Sequence, residues 1–308
     1  MKKLRIIAPS SPAKKPIDLA FLNAFFAPLG LTVELGKNVH KSRRYLAGTI
    51  QERLDDLHDA FADPSVSIIM ALRGGAGAAA MLDGIRWDLI KNNPKPFYGF
   101  SDTTALQLPF YDKAGLLGFS GIGPNYNPEL FSDDISKITL DSFAASLRFD
   151  IVSHPIMPLA PGSKEKHHAL TEKPHTLLPG TMLLITDLMG TPYQPDFKNT
   201  IMVLEESDSR LDAIERMFIQ LDQCGCFTNA AAVVFGVFTR MHCTMPQYGT
   251  IQDTLSDWAR HLSDKYGLPV FGGLPYKHLG GSLVLPIGGS AVIKDNILTA
   301  APQKILKI

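Results

Sequence analysis

The sequence predicts an α/β protein in which an N-terminal domain with a doubly wound, mostly parallel sheet precedes a C-terminal, β-rich α/β domain. Over residues 1–125 short apolar runs alternate with amphipathic stretches, and this rhythm is typical of a parallel sheet with helices on both faces. Beyond residue 176 short strands joined by turns take a larger share of the chain. We therefore expect domains at 1–125 and 176–308, joined by a linker or exposed excursion at 126–175.

The elements of the first domain follow from apolar spacing and stop signals. Apolar residues of the stretch 17–29 recur at helical spacing, and Gly30 directly after it is a common helix stop. The predicted strands cover 4–8, 31–35, 67–72 and 96–100, and the predicted helices cover 17–29, 49–61 and 78–85. Ligands of parallel sheets gather at the carboxyl ends of the strands, so the turns after the third and fourth strands are the first candidates for a site.

Residues 126–175 differ in composition from the domains on either side. Prolines recur at positions 155, 158, 161 and 174, and a polar run occupies 162–168. This composition is typical of a linker or an exposed excursion. Periodic structure returns after it, with predicted strands at 201–204, 231–235, 282–287 and 291–297 and a predicted helix at 210–221.

The balance of charges argues against a nucleic-acid-binding protein. The 308 residues include 30 basic and 30 acidic side chains, whereas a protein that binds nucleic acid normally carries a basic excess. The N-terminal apolar run is interrupted by Arg5 and ends at Pro9, so it lacks the apolar stretch of about 7 residues found in a signal peptide. No run approaches the ~18 apolar residues of a membrane span. We expect a cytoplasmic protein with neither a nucleic-acid nor a membrane partner.

The three cysteines predict neither a disulfide framework nor a metal site. Their number is odd and small, unlike that of a disulfide-rich secreted domain. Cys224 and Cys226 have C-x-C spacing, and Cys243 directly follows His242, whereas structural zinc sites space their ligands more widely. Cysteine is also common as a buried apolar residue. We therefore expect no metal.

Ser101 stands where the predicted strand 96–100 gives way to a helix. A serine at such a turn is exposed, and the neighbouring backbone N–H groups point towards the substrate space. Hydrolases with this turn often show the pattern G-x-S-x-G; here Gly99 fits the pattern and Thr103 does not. The simpler alternative is that Ser101 only caps the N-terminus of the helix.

The run Arg73-Gly74-Gly75-Ala76-Gly77 ends the preceding strand. Closely spaced glycines let backbone amides approach a ligand, either a phosphate or a developing oxyanion. An alternative comes from the run 75–80, which fits the dinucleotide pattern G-x-G-x-x-A, with Asp102 at the end of the next strand. Against this alternative, the predicted helix after the glycines is short, and the pattern follows the third strand rather than the first.

Two acidic residues and a histidine in the C-terminal domain are the other candidates for chemistry. Glu205 and Glu206 follow a predicted strand, and His278 lies in a loop bounded by proline and glycine. Taken alone, the glutamates could simply favour the N-terminus of the following helix. Successive residues at a strand end point to opposite faces, so only one of the two glutamates can face a cleft.

Several segments that are weak signals individually occur together in one order. The chain contains Arg73-Gly74-Gly75, then Gly99-Phe100-Ser101-Asp102-Thr103-Thr104, Gly190-Thr191-Pro192-Tyr193, Ile201-Met202-Val203-Leu204-Glu205-Glu206 and Gly273-Leu274-Pro275-Tyr276-Lys277-His278. In this order, and over nearly the whole chain, they resemble the LD-carboxypeptidase and microcin-immunity family of serine peptidases.

The resemblance implies a catalytic triad of Ser101, Glu205 and His278, with the serine in the N-terminal domain and the other two residues in the C-terminal domain. The family's register favours Glu205 over Glu206 as the partner of the histidine. In such a triad the histidine takes the proton of the serine, and the carboxylate orients the imidazole and stabilises its charged form.

Further roles follow for residues around the predicted nucleophile. The backbone amides of Asp102 and of Gly74 or Gly75 would form the oxyanion hole. A carboxypeptidase must also bind a free terminal carboxylate, which requires a cation or several amide donors. Arg73 is the nearby candidate for this cation, although it could instead support the glycine loop.

The chain departs from the family's pattern at three places. Ala76 stands where the family often has tyrosine, and Pro179 stands where it often has glycine. Pro109 should kink the helix after the predicted nucleophile or end it early. These departures bear on substrate preference more than on the triad.

The resemblance implies a cytoplasmic enzyme, which we also expect to be a homodimer, that needs no cofactor and cuts a muropeptide-type tetrapeptide in cell-wall recycling. Its substrate would carry a free C-terminal D-amino acid, namely D-alanine bonded to an L-centre of diaminopimelate or lysine. Three alternatives stay open: a peptide-nucleotide hydrolase of the microcin-immunity branch, a nucleotide-binding oxidoreductase built on the glycine loop, and a non-catalytic protein that binds a ligand between its domains.

Overall fold

The computed structural model describes residues 1–123, 134–242, 249–278 and 281–302. Its strands are β1 (Lys2–Ile7), β2 (Leu31–Leu35), β3 (Val66–Ala71), β4 (Phe97–Gly99), β5 (Gly118–Ser120), β6 (Val152–Pro155), β7 (Met157–Ala160), β8 (His175–Thr181), β9 (Thr200–Glu205), β10 (Ala232–Phe235), β11 (Val270–Gly272), β12 (Leu285–Ile287), β13 (Gly289–Lys294) and β14 (Ile297–Ala301). Its α-helices are α1 (Leu19–Phe26), α2 (Ile50–Ala62), α3 (Trp87–Asn92), α4 (Thr104–Ala114), α5 (Asp134–Arg148), α6 (Lys164–Glu172), α7 (Met182–Leu188), α8 (Leu211–Gln223) and α9 (Ile251–Tyr266). Short 3-10 helices cover Ala27–Leu29, Ala79–Gly84 and Ser101–Thr103.

The first sheet has the strand order β12-β5-β4-β3-β1-β2. All of its strands run parallel except β12, which is antiparallel to β5. The order reverses between β1 and β3, and such a reversal opens a crevice at the carboxyl ends of the strands. The turns after β1, β3 and β4 therefore meet at one edge of the sheet.

The second sheet has the order β6-β14-β13-β8-β9-β10-β11-β7. Strands β8 to β11 are parallel to one another, and the flanking strands are antiparallel to their neighbours. The two edge strands, β6 and β7, are separated in the chain by Ile156 alone, so the sheet curls until its edges meet there. The predicted α/β class with two sheets is confirmed.

In the range 126–175, where the sequence predicted a linker or an exposed excursion, the structure has regular elements. In the described part of this range α5 packs on the first sheet, where Phe143 contacts Tyr98 with ring centroids 5.2 Å apart. Strands β6 and β7 form both edges of the second sheet. The prolines Pro155 and Pro158 fit because edge strands tolerate a residue that cannot donate a ladder hydrogen bond. A composition typical of a loop thus belongs here to edge strands.

One strand pairing also differs from the expected one, and one of the two effects expected of Pro109 is absent. Strand β12 was expected in the C-terminal domain, yet it pairs with β5 of the first sheet, placing Leu285 opposite Ser120. Pro109 was expected to kink the helix or end it early; it does not end α4, which runs on to Ala114. Every residue of this helix from Thr104 to Phe110 is buried, so tertiary packing holds the helix past the missing amide hydrogen.

No helix in the described ranges is long and apolar enough to span a membrane. The predicted strands at 4–8, 31–35, 67–72 and 96–100 are found within two residues of their expected bounds.

Helix α2 begins with a capping box, in which the Thr49 side chain accepts the Glu52 amide hydrogen and the Glu52 side chain accepts the Thr49 amide hydrogen.

Arg53 on α2 is almost completely buried, with 2% of its surface exposed. Its Nη1 donates to the carbonyl oxygens of Pro9 and Gly77 at 2.6 and 2.8 Å. Burial lowers the pKa of the Arg53 guanidinium, and the charge of Asp102 opposes this shift. Arg53 thus connects α2 to the turns after β1 and β3.

Replacing Arg53 with methionine should destabilise the fold. Arg53→Met leaves the carbonyls of Pro9 and Gly77 without their donor and the buried Asp102 without a nearby positive charge. We expect the free energy of unfolding in urea to fall by about 3 kcal/mol or more. Arg148, whose side chain is 62% exposed, offers the control Arg148→Met, with an expected change within ~0.5 kcal/mol. Equal values for the two variants would contradict this role of Arg53.

Candidate active site

Ser101 lies in a tight turn between β4 and α4. Its φ of 65° is in the left-handed region, which residues with a side chain seldom adopt. Gly99, two residues earlier, has no room for a side chain because a Cβ atom there would overlap Thr103 Oγ1. The Thr103 hydroxyl donates to the Phe100 carbonyl at 3.1 Å. A threonine thus fills the place of the second glycine of G-x-S-x-G, which explains the partial match of the sequence pattern.

The glycine loop after β3 lies directly against Ser101. A Cβ atom at Gly74 would stand 2.7 Å from Ser101 Cβ and 3.0 Å from Ser101 Oγ. At Gly75 the φ is 123°, and a Cβ atom would overlap the side chain of Ser11. Ser11 Oγ in turn accepts the Ala76 amide hydrogen at 3.2 Å. Both glycines are therefore required for the loop to approach the serine this closely.

The buried carboxylate of Asp102 faces the glycine loop and accepts the Ala78 amide hydrogen at 2.9 Å. Burial raises the pKa of Asp102, while the Ser10 hydroxyl, the Ala78 amide and the Arg53 charge oppose the rise. The helix after the glycines is a six-residue 3-10 helix, Ala79–Gly84, so no α-helix N-terminus directly follows this loop to hold a pyrophosphate. The glycine loop therefore lacks two features of a dinucleotide site: an α-helix directly after the glycines, and a carboxylate free to bind a ribose, because Asp102 is buried against the loop.

Hydrogen bonds join Ser101, His278 and Glu205 across the two sheets. His278 Nε2 lies 2.8 Å from Ser101 Oγ, and His278 Nδ1 lies 2.7 Å from Glu205 Oε2. The side chain of His278 is 20% exposed and that of Glu205 is 0% exposed. Phe100 packs beside the imidazole, with ring centroids 4.7 Å apart. The structure therefore brings together the three residues predicted as a triad, with the carboxylate sealed from water.

Glu206 has a different environment from its neighbour Glu205, as alternation at a strand end requires. Its Oε2 accepts the Leu183 amide hydrogen at 2.8 Å, in the first turn of α7. Its Oε1 accepts hydrogens from the Ser207 amide and the Ser209 hydroxyl at 3.0 and 3.2 Å. Burial raises the pKa of Glu206. Glu206 thus stabilises the start of α7, and Glu205 alone of the pair contacts the histidine.

Buried hydroxyl groups beside the triad connect the two sheets. Tyr276, in the loop of the histidine, makes a hydrogen bond of 2.6 Å between its hydroxyl and Ser120 Oγ at the end of β5. Burial and, to a smaller extent, the charge of Glu205 raise the pKa of Tyr276 well above its usual value. On the other side, the Thr181 hydroxyl donates to Glu205 Oε1 at 2.5 Å, and the Thr181 amide donates to Thr104 Oγ1 at 3.2 Å.

Sequence reasoning missed these hydroxyl residues. Serine and threonine at strand ends are common and carry no signal of their own. The parallel register of β8 and β9 places Thr181 opposite Glu205. This register is seen in the folded sheet and is not specified by the sequence of either strand alone.

Arg73 holds the segment after β1. Its Nη1 donates to the Pro12 carbonyl at 3.1 Å, and partial burial lowers the pKa of its guanidinium. This contact fits the expected support of the glycine loop. The other expected role of Arg73, binding a terminal carboxylate, stays a prediction.

Among the described residues no group of three or more histidine, cysteine and acidic side chains could hold a metal ion. Cys224 is exposed and Cys226 is buried, and burial raises the pKa of the Cys226 thiol to about 12. This thiol is therefore protonated at neutral pH and is a poor metal ligand. Cys243 lies outside the described residues, and the expected absence of a metal stays a prediction.

A serine hydroxyl bonded to an imidazole, which is bonded in turn to a buried carboxylate, is the arrangement of the serine hydrolases. It lies at the carboxyl ends of parallel strands, with a glycine loop packed against the serine. The fold and these contacts therefore place the protein among the serine hydrolases.

Comparisons with known proteins agree with this class. Models of the LD-carboxypeptidase N-terminal and C-terminal domains match residues 4–121 and 176–293. A probable murein peptide carboxypeptidase of Bacillus subtilis is 31% identical over 96% of this chain and 89% of its own length. The microcin C7 self-immunity protein MccF of Escherichia coli is 26% identical over 89% of this chain and 86% of its own length. A crystal structure of muramoyltetrapeptide carboxypeptidase from Oxalobacter formigenes has a TM-score of 0.81 at 25% identity, over 98% of this chain and 99% of that chain.

The chain belongs to the LD-carboxypeptidase family, and it is a serine-type carboxypeptidase. The resemblance and the enzyme class predicted from the sequence are both confirmed.

Adding one methyl group at Gly74 should disable the nucleophile. The new Cβ atom of Gly74→Ala would displace Ser101, and a misplacement near 1 Å can cost about 10²-fold in rate. We expect at least this loss in the rate of labelling by an active-site-directed fluorophosphonate. Gly118→Ala in β5 is the control, because the atoms nearest to the added Cβ, in Ile287 and Phe97, lie 3.6 Å away. Labelling of Gly74→Ala at the wild-type rate would show that the loop does not constrain the serine.

Proposed function

We propose that this enzyme is an LD-carboxypeptidase that releases the terminal D-amino acid of muropeptide-type tetrapeptides during cell-wall recycling in the cytoplasm. The observation that carries the proposal is the continuous hydrogen-bonded chain Ser101–His278–Glu205. The names of its relatives, a probable murein peptide carboxypeptidase and a muramoyltetrapeptide carboxypeptidase, support the substrate class. The cytoplasmic location and the expected homodimer stay predictions.

In the first half of the reaction Ser101 forms an acyl-enzyme. His278 Nε2 takes the proton of the Ser101 hydroxyl while Oγ attacks the carbonyl carbon of the last peptide bond. The imidazolium then gives this proton to the leaving amine as the carbon–nitrogen bond breaks, and the D-amino acid departs. Glu205 accepts the hydrogen on Nδ1, which presents Nε2 to the serine and stabilises the charged imidazole.

In the second half a water molecule attacks the ester carbonyl. His278 takes a proton from this water and returns it to Ser101 Oγ, so the shortened peptide leaves with a free carboxylate. In both halves the negative charge on the carbonyl oxygen would be held by the backbone amides of Asp102 and of Gly74 or Gly75, at about 3 kcal/mol per donor.

Recognition of the terminal carboxylate calls for a positive charge or several amide donors. Arg73 lies two residues after the end of β3 and begins the glycine loop, and it keeps its charge at any physiological pH. We assign it this role as part of the proposal, together with its contact to Pro12. The likeness to the microcin immunity protein makes a peptide-nucleotide the second substrate to assay.

Ser101→Ala tests the nucleophile. Without the hydroxyl no acyl-enzyme can form, so hydrolysis of a diaminopimelate-containing tetrapeptide should slow by ~10³-fold or more. Release of D-alanine is the measurement, and the circular dichroism of the variant should match that of the wild type. Near-normal turnover by Ser101→Ala would overturn the mechanism. Cleavage of a peptide-nucleotide in preference to the tetrapeptide would overturn the substrate assignment alone.

The two adjacent glutamates should respond differently to the same change. Glu205→Gln removes the negative charge that stabilises the imidazolium, and loss of the equivalent carboxylate can lower kcat by about 10⁴-fold. Glu206→Gln removes one acceptor at the start of α7, so it should lower the melting temperature and leave most of kcat. Single-turnover hydrolysis at one pH compares the variants. The reverse order of severity would reassign the acid of the triad to Glu206.

A further inference from the structure

The carboxylate of Glu205 is held at both of its oxygen atoms. Oε2 lies 2.7 Å from His278 Nδ1, and Oε1 accepts the hydroxyl hydrogen of Thr181 at 2.5 Å. Glu205 is 0% exposed and Thr181 is 2% exposed. A charged-group hydrogen bond of this length is among the stronger contacts available to a side chain. The Thr181 hydroxyl therefore limits how the carboxylate can rotate or shift.

Thr181 is also bonded to the domain that carries the nucleophile. Its amide hydrogen is accepted by Thr104 Oγ1 at 3.2 Å. Thr104 is the first residue of α4, three positions after Ser101 in the same turn. Gly180 allows this approach, since a Cβ atom there would stand 2.7 Å from Thr104 Cγ2. The contact is buried, because Thr104 is 0% exposed.

These contacts close a ring that starts and ends at the nucleophile. From Ser101 Oγ the ring passes through His278 and the Glu205 carboxylate to the side chain of Thr181, and from the Thr181 amide to Thr104. A short turn of backbone then leads from Thr104 back to Ser101. The triad residues come from two sheets. The hydrogen bond between Ser101 and His278 is one connection between them, and the hydrogen bond between Thr181 and Thr104 is a second.

We propose that Thr181 is a positioning residue for the reaction, acting through Glu205 on one side and through Thr104 on the other. The inference rests on the function proposed above for the triad. Without the Thr181 hydroxyl, Glu205 loses one of its two anchors, and the imidazole is no longer held in line with the serine. Because a misplacement of about 1 Å can cost 10²-fold in rate, this loss should appear in the chemical step.

The first test compares valine and serine at position 181. Thr181→Val keeps the shape of the side chain and removes the hydroxyl, so kcat should fall by about 10- to 100-fold with KM for the tetrapeptide unchanged. Thr181→Ser restores the hydroxyl and should recover most of this loss. Thr200→Val is the matched control: Thr200 is a buried threonine at the opposite end of β9, and its hydroxyl donates to the Phe197 carbonyl at 2.8 Å. This control should keep the wild-type kcat.

A second pair of variants covers the case in which Thr181→Val does not fold. Thr104→Val removes the acceptor of the Thr181 amide, and Thr104→Ser retains it. We expect Thr104→Val to slow both turnover and labelling of Ser101 by a fluorophosphonate, and Thr104→Ser to recover them. If the hydroxyl were merely structural, its removal would lower the melting temperature. It would not lower kcat at an unchanged KM, and the serine variant would not restore kcat.

Ser101→Ala, assayed beside these variants, separates the two ways to fail. If Ser101→Ala is inactive while Thr181→Val and Thr104→Val both keep the wild-type kcat, the positioning role is wrong and the proposed function stands. The positioning role is also overturned if Thr200→Val slows turnover as much as Thr181→Val. If Ser101→Ala turns over normally, the proposed function is wrong, and the inference built on it is wrong too.

Discussion

The buried negative charge of Glu205 is the constraint on which the site depends. A carboxylate with no exposed surface is costly unless hydrogen-bond donors or a positive charge face it. The fold supplies His278 to one oxygen and Thr181 to the other. The same charge helps to keep the nearby Tyr276 phenol neutral, because it adds to the effect of burial on the pKa of that group. The carboxylate thus binds two neighbouring side chains, His278 and Thr181, and raises the pKa of a third, Tyr276.

Topology explains how residues from two sheets reach one another. Ser101 follows β4 of the first sheet, and Glu205 ends β9 of the second, so both stand at the carboxyl ends of parallel strands. His278 lies in the loop after β11, held in part by the bond between Tyr276 and Ser120. Each sheet therefore supplies its share of the site from the edge where parallel α/β proteins usually bind ligands.

Local patterns in the sequence predicted more than pairings between distant segments. The first strands were found because continuous apolar runs and glycine stops act over a few residues. Strand β12 was assigned to the wrong domain because its partner, β5, lies more than 160 positions earlier, and no local pattern specifies that pairing. Strand alternation and the family's register predicted which of Glu205 and Glu206 faces the histidine. Thr181 was not predicted, because its place beside Glu205 depends on the register of β8 against β9. The prolines of β6 and β7 predicted a linker because composition does not distinguish an edge strand from a loop.

The turn of Ser101 shows why the glycine loop and the nucleophile have to be considered together. A residue with a side chain in the left-handed region costs of order 1 kcal/mol and persists only where its surroundings fix it. Here Gly74 leaves room for the serine side chain, Gly99 leaves room for Thr103, and the Asp102 carboxylate binds the loop through the Ala78 amide. In this backbone conformation Ser101 Oγ lies 2.8 Å from His278 Nε2, and the contacts that hold the strain also pack the glycine loop against the serine. The position of the Ser101 side chain and the approach of the glycine loop are therefore set by one packed unit, so neither can be altered without the other.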